Sequence, residues 1–164
     1  NTPIICFTVD KTDNSAANAA LVIDKVKEHF SCEITHVTNI ENDEDAKLNG
    51  YLGPKSIRAV RDYMPNIEVY MGINRMAPPE LKIFKHPLKI DYGYSINNPL
   101  YSSPFLFLHK PQIIDILYKL ECDDIISHTR SCTQVDIGKC GECYACEERA
   151  WGFELLGKID PMKS

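Results

Sequence analysis

Cys132, Cys140, Cys143 and Cys146 are spaced C-x7-C-x2-C-x2-C, with Gly138 and Gly141 placed where a chain must turn sharply around an ion. Four thiolates in this arrangement can close a tetrahedral shell around Zn²⁺ at about 2.3 Å each, leaving no position for water, so the site they define is structural. Iron–sulfur clusters are also held by thiolates, which makes zinc the favoured rather than the sole metal for this spacing. His128, just before the first of these cysteines, is a competing ligand. The chain has seven cysteines, an odd number, and no leader pattern accompanies them, so bound metal in a reducing compartment is a simpler expectation than disulfides. Cys6, Cys32 and Cys122 fall in or beside apolar elements and are read as small buried hydrophobes.

The elements that must position this cluster belong to an ordinary globular composition. The 164 residues are 44% apolar and 25% charged, enough for one domain, or a core with a small appendage, around a real hydrophobic centre. No apolar run approaches the roughly 18 residues of a membrane-spanning helix, and the expected location is the cytoplasm. A net charge of −5 argues against a broad electrostatic grip on nucleic acid and favours small substrates or protein partners. The sequence begins Asn1-Thr2-Pro3 and enters a strand pattern at once, as if an upstream element were missing.

Ile4 to Val9 has the β-branched and aromatic run of a strand buried on both faces. A helix should follow, capped by Ser15, with Ala19, Val22, Ile23, Val26 and Phe30 along its inner face. Glu33 to Val37 predicts a second strand, and residues 39–49 a solvated acidic loop or frayed helix. Gly53-Pro54 opens another helix, with Ile57, Val60 and Tyr63 or Met64 inward, and Glu68 to Asn74 predicts a third strand. This alternation is what a parallel sheet with crossover helices requires, so the fold class is α/β. Residues 76–104, punctuated by five prolines, read as loop with short strands at most. A helix resumes at Pro111 with Ile113, Ile116, Leu117 and Leu120 as its stripe, and a last one runs from Glu147 to Leu156, stopped by Gly157 and Pro161.

From Pro99 onward the landmarks fall in a particular order. They are Pro99-Leu100, His109-Lys110 opening a helix, Thr129-Arg130-Ser131-Cys132, the run Cys140-Gly141-Glu142-Cys143-Tyr144-Ala145-Cys146, then Arg149 and Gly157 to Pro161. Together they resemble the 7-cyano-7-deazaguanine synthase family. The resemblance implies a Rossmann-like parallel sheet of the adenine-nucleotide α-hydrolase (PP-loop ATPase) type with a C-terminal zinc-binding segment built on four cysteines. It divides the chain into a nucleotide-binding core over residues 1–98 and a helical zinc-binding segment over 99–164. The family's reaction is also implied: ATP, with Mg²⁺, activates the carboxylate of 7-carboxy-7-deazaguanine as an adenylate, ammonia captures it, and further ATP dehydrates the amide to the nitrile used in queuosine, archaeosine and some modified viral DNAs. A homodimer is the implied assembly.

Three features depart from the family pattern. The phosphate loop, serine-glycine-glycine-x-aspartate-serine, whose backbone N–H groups cradle pyrophosphate, occurs nowhere in the 164 residues. The strand at Ile4 resembles the family's second strand, which places the first strand and its loop in a portion outside this chain. Lys55-Ser56 stands where the family has arginine-asparagine, and Asp10-Lys11-Thr12 where it has tyrosine-glycine-glutamine. A divergent or repurposed relative, viral or from anti-phage defence, binding a protein or nucleic-acid partner without catalysis, is the competing function.

Beyond the cysteines, each candidate residue has two readings. Lys55, at a helix start, can meet a phosphate or be a solvated lysine. Lys110, matching the family's helix-opening lysine, is an active-site or phosphate group or a surface charge. Arg149 points toward the substrate carboxylate, or pairs with Glu147 or Asp160 to lock the fold. Gly72 and Asn74, at the end of the third expected strand, lie where open parallel sheets bind ligands, and Asp10 ends the first strand at the same crevice. Trp151 and Phe153 are expected in the core.

Overall fold

The computed structural model of the chain describes residues 3–9, 15–39, 58, 61, 62, 64–81, 101–132 and 138–162. Strand β1 spans Ile4–Val9 and β2 spans Ile34–Asn39, paired in parallel with Ile4 opposite Ile34 and Val9 opposite Asn39. Parallel neighbours need a crossover, and helix α1, Ser15–Phe30, supplies it, giving a βαβ unit. Among the described residues the expected α/β alternation is therefore present as a small, two-stranded parallel sheet. Ser15 lies inside the helix as its first residue. Ile23 is the residue that α1 buries most deeply, while Phe30 is 48% exposed and stacks its ring edge against His29, so the inner stripe is narrower than the periodicity predicts. Nor is β1 buried on both faces: Ile4 is exposed and Cys6 and Phe7 are half-buried, because α1 covers the sheet and no second layer does so among the described residues.

The third expected strand is corrected. Residues 68–75 form no continuous ladder but two isolated parallel bridges, Tyr70 with Ser102 and Arg75 with His109. Around them the Met71 N–H donates to the Ser102 carbonyl, the Ser102 N–H to Val69 and the Arg75 N–H to Leu108. The interruption comes from the partner strand. Pro104 has no N–H to give, and the chain there turns back on itself, Leu106 N–H to Ser103 and Leu108 N–H to Phe105, before pairing again. Of the helix expected after Gly53-Pro54, the described residues Arg58, Arg61 and Asp62 are helical.

Among the described residues of the C-terminal half there are three α-helices: α2 over Lys110–Lys119, α3 over Asp123–His128 and α4 over Tyr144–Leu155. Helix α2 starts at Lys110, so Pro111 occupies a first-turn position where its missing N–H costs nothing, and the His109 N–H is taken by the Gln112 side chain at 2.8 Å. Both α2 and α4 end in the same motif. Glu121 (φ 57°) and Gly157 (φ 62°) adopt the left-handed conformation; their N–H groups and those of the next residues close back onto Tyr118 and Leu117, and onto Glu154 and Phe153. Ile114, Ile126 and Phe153 meet in the core, with Leu117, Tyr118 and Leu156 packed around them. Phe153 is 2% exposed, as expected of a core residue, whereas Trp151 is half-buried and meets the His109 ring edge-on. His29 joins the two halves, with Nε2 3.2 Å from the Leu120 carbonyl and 3.8 Å from the buried Cys122 sulfur. None of the described helices is long and apolar enough to cross a membrane.

Candidate metal centre and the lysine network beside it

Helix α4 begins inside the cysteine cluster, three residues earlier than the expected start at Glu147. Cys143 is its N-cap, in extended conformation, and its carbonyl accepts from the Glu147 N–H. Cys146 lies in the first turn, so the second x2 spacing is the geometry of a helix start, which brings two sulfurs to the positive end of the helix dipole. Cys140 reaches the same point through the turn at Gly141 (φ 79°), and Gly138 (φ 73°) makes the bend before it. A side chain at either φ is strained, which is why glycine stands there.

The four Sγ atoms all lie within 4.8 Å of one another. Cys140 and Cys146 sulfurs are 3.9 Å apart and those of Cys143 and Cys132 4.0 Å, against edges of about 3.8 Å for a tetrahedron with metal–sulfur bonds of about 2.3 Å. The Cys140 N–H points at the Cys132 sulfur (3.5 Å) and the Cys143 N–H at the Cys140 sulfur (3.3 Å), contacts that favour sulfur carrying negative charge. Burial, reinforced by hydrogen bonds with the Cys143 and Cys132 thiols and opposed by one from the Gly141 backbone, pushes the Cys146 thiol up to about 12. Thiols so buried become ligands when a cation offsets their charge. The donor set fits a divalent, thiophilic ion such as Zn²⁺. His128 is outside the cluster; it is exposed, and its Nδ1 lies 2.9 Å from both the Ser127 hydroxyl and the Asp124 carbonyl.

Two other predicted residues, Lys110 and Asn74, are brought together next to the cluster. The Lys110 ammonium donates to Asn74 Oδ1 at 3.3 Å and lies 3.5 Å from Glu148 Oε2. The Asn74 amide donates to Glu148 Oε1 at 3.1 Å, and the Tyr144 hydroxyl to the same oxygen at 3.3 Å. Glu148 is buried, two residues beyond Cys146 on α4. Nothing in the sequence singles out Glu148 or Tyr144. Their one local signal is the helical spacing of four that puts them on one face once the helix is seen to start at Tyr144 rather than Glu147. Gly152, a further turn along that face, lets α2 approach: a Cβ there would lie 2.7 Å from Ile114 Cδ1 and 3.2 Å from Lys110 Cγ. Gly72 is exposed, with nothing within 4 Å of where a Cβ would be.

Arg149 occupies a different setting. It is 6% exposed; Nε and Nη2 donate to the Asp160 carboxylate at 2.8–3.0 Å, Nη1 to the Thr129 hydroxyl and Nη2 to the Ile126 carbonyl, with Phe153 beneath the guanidinium. Of its two readings this is the geometry of the ion pair, which ties α3, α4 and the tail together. Burial alone would raise the Asp160 carboxyl, but the Arg149 hydrogen bonds, the Met162 N–H and the charges of Arg149 and Lys139 outweigh it and hold Asp160 below the usual carboxylate range. Asp10 and Lys55 lie outside the described residues.

The fold and site thus define a mixed α/β protein with a C-terminal four-cysteine centre. The family described as queuosine biosynthesis protein QueC matches residues 87–157, a stretch that takes in α2, α3, all four cysteines and α4. The C-terminal part of the chain is QueC-like. No curated protein and no solved structure matches.

Proposed function

We propose that this protein takes part in making 7-cyano-7-deazaguanine, converting 7-carboxy-7-deazaguanine, ammonia and ATP, with Mg²⁺, to the nitrile for 7-deazapurine biosynthesis. One observation carries the reading: the QueC-like stretch coincides with a cluster of four cysteines whose sulfurs all lie within 4.8 Å of one another, two pairs of them at 3.9 and 4.0 Å. Zinc is structural here, neutralising four thiolates and fixing the start of α4, while the chemistry falls to other groups.

On this reading Lys110 and Asn74 face the nucleotide or the substrate. An ammonium at the N-terminus of a helix, beside an amide that both donates and accepts, suits an anionic group such as a phosphate or the substrate carboxylate. Gly72, two residues before Asn74 and open above its Cα, leaves room for the purine plane. Asp10 and Lys55 are assigned to the nucleotide side. Arg149, saturated by Asp160 and Thr129, serves the site by holding α4 against α3 rather than by touching substrate. The site works in the cytoplasm, in a homodimer.

The deciding assay supplies the purified product of the complete gene with the carboxy-deazaguanine, ATP, Mg²⁺ and ammonia and follows the nitrile by mass spectrometry. Nitrile formed in step with ATP consumption supports the proposal; a zinc-replete protein that leaves every substrate unchanged refutes it.

A further inference from the structure

Glu148 is a carboxylate with 5% exposure in the first turn and a half of α4, and the network around it runs in a definite order. One oxygen accepts from Asn74 and Tyr144; the other faces the Lys110 ammonium, which in turn donates to Asn74. Three separate segments therefore meet on one buried side chain: the bridge region at 70–75, the start of α2 and the helix that the cysteines cap. Burying a carboxylate is costly unless it is paired and hydrogen-bonded, so the arrangement persists because Glu148 is fully partnered. The approach of α2 depends on Gly152, whose missing Cβ leaves space for the Lys110 stem.

We propose that Glu148 is a positioning residue, acting through Lys110 and Asn74. Its carboxylate fixes the direction of the lysine ammonium and orients the Asn74 amide so that Oδ1 faces the lysine. Because Cys143 caps the same helix and Cys146 lies in its first turn, the helix start that binds metal is also the element that aims the lysine. This rests on the reading of Lys110 as a ligand-binding group, and its test is arranged to separate the two.

Two measurements on the complete gene product decide it. The first is the labelling rate of Lys110 by a small acylating ester at fixed pH, read by peptide mass spectrometry, in the wild type and in Glu148→Gln. Glutamine keeps the acceptor for Asn74 and Tyr144 but removes the charge opposite the lysine. The expected result is at least a threefold faster labelling of Lys110, with exposed Lys119 unchanged as an internal control and zinc content intact; equal rates overturn the proposal whatever the protein catalyses. The second is a double-mutant comparison of nitrile formation. Glu148→Gln is expected to lower kcat about tenfold in the wild-type background and to have no further effect in Lys110→Met. Losses that multiply would show Glu148 acting independently of the lysine and overturn the proposal, even with the labelling change. A wild type inert in nitrile synthesis would remove the proposed function, leaving the labelling rate to judge the positioning role.

Discussion

Arg149 shows how one residue type at one position carries two meanings that sequence cannot separate. A guanidinium three residues beyond a metal-binding cysteine suits an anionic substrate as well as an internal carboxylate, and only the return of the tail, which brings Asp160 to it, decides the partner. If Arg149 locks the fold, Arg149→Ala should lower unfolding stability by about 3 kcal/mol in urea titration, since it leaves the half-buried Asp160 with only the more distant Lys139 ammonium and the Met162 N–H. A residue that served substrate alone would lower kcat without moving the transition. The pair also has a pH signature. Asp160 is depressed in the folded state, so its contribution is complete above the ordinary aspartate value of 3.8 and is lost as pH falls through the lower folded value. The stability gap between wild type and Asp160→Asn should therefore be constant near neutrality and close in strong acid. Glu148 is illegible in the sequence for a related reason. Its partner Asn74 lies 74 residues away, and no local pattern distinguishes it from its neighbour Glu147.

At the scale of elements, what the sequence makes legible is what is encoded locally. β1, α1 and β2 fall where strand and helix periods put them, and the stop of α4 at Gly157 follows from one residue that tolerates positive φ. The third strand that the sequence predicts is reduced to isolated bridges because its pairing depends on the partner segment around Pro104, and α3 is not legible because six residues are too few to show a helical period. The start of α4 lies earlier than the expected Glu147 because the cysteines, read as ligands, also form its N-cap and first turn. Glu121 ends α2 in the same left-handed conformation as Gly157 but with a side chain. Glu121→Gly should accordingly stabilise the protein by about 0.5–1 kcal/mol, seen as a higher urea midpoint. Gly152→Ala should do the reverse, by about 1 kcal/mol, because the new methyl displaces the tip of Ile114 and presses on the Lys110 stem. An unchanged midpoint would contradict the close approach of α2 to α4.

For the whole molecule, the βαβ unit meets the helical half where α1 packs on α3 and His29 reaches the Leu120 carbonyl, and the cysteines stand at the start of α4 in that half. An ion held by the four cysteines would tie Cys132 to the start of α4, so folding of that half should depend on metal. Cys143→Ala should lose the ion and the cooperative unfolding of the C-terminal segment, with α1 and its strands less affected in hydrogen exchange. With the Cys146 thiol pushed up to about 12, metal must displace protons to bind, so affinity should fall as pH is lowered and acid should release the ion. The cysteine spacing is the most legible part of the chemistry, since ligand geometry demands it directly; the lysine network depends on contacts between distant segments. X-ray absorption at the zinc edge on the folded protein tests the centre most directly. One zinc per chain with four sulfur neighbours at about 2.3 Å is the expected result; a folded protein without metal, or a shell containing nitrogen or oxygen ligands, would contradict it.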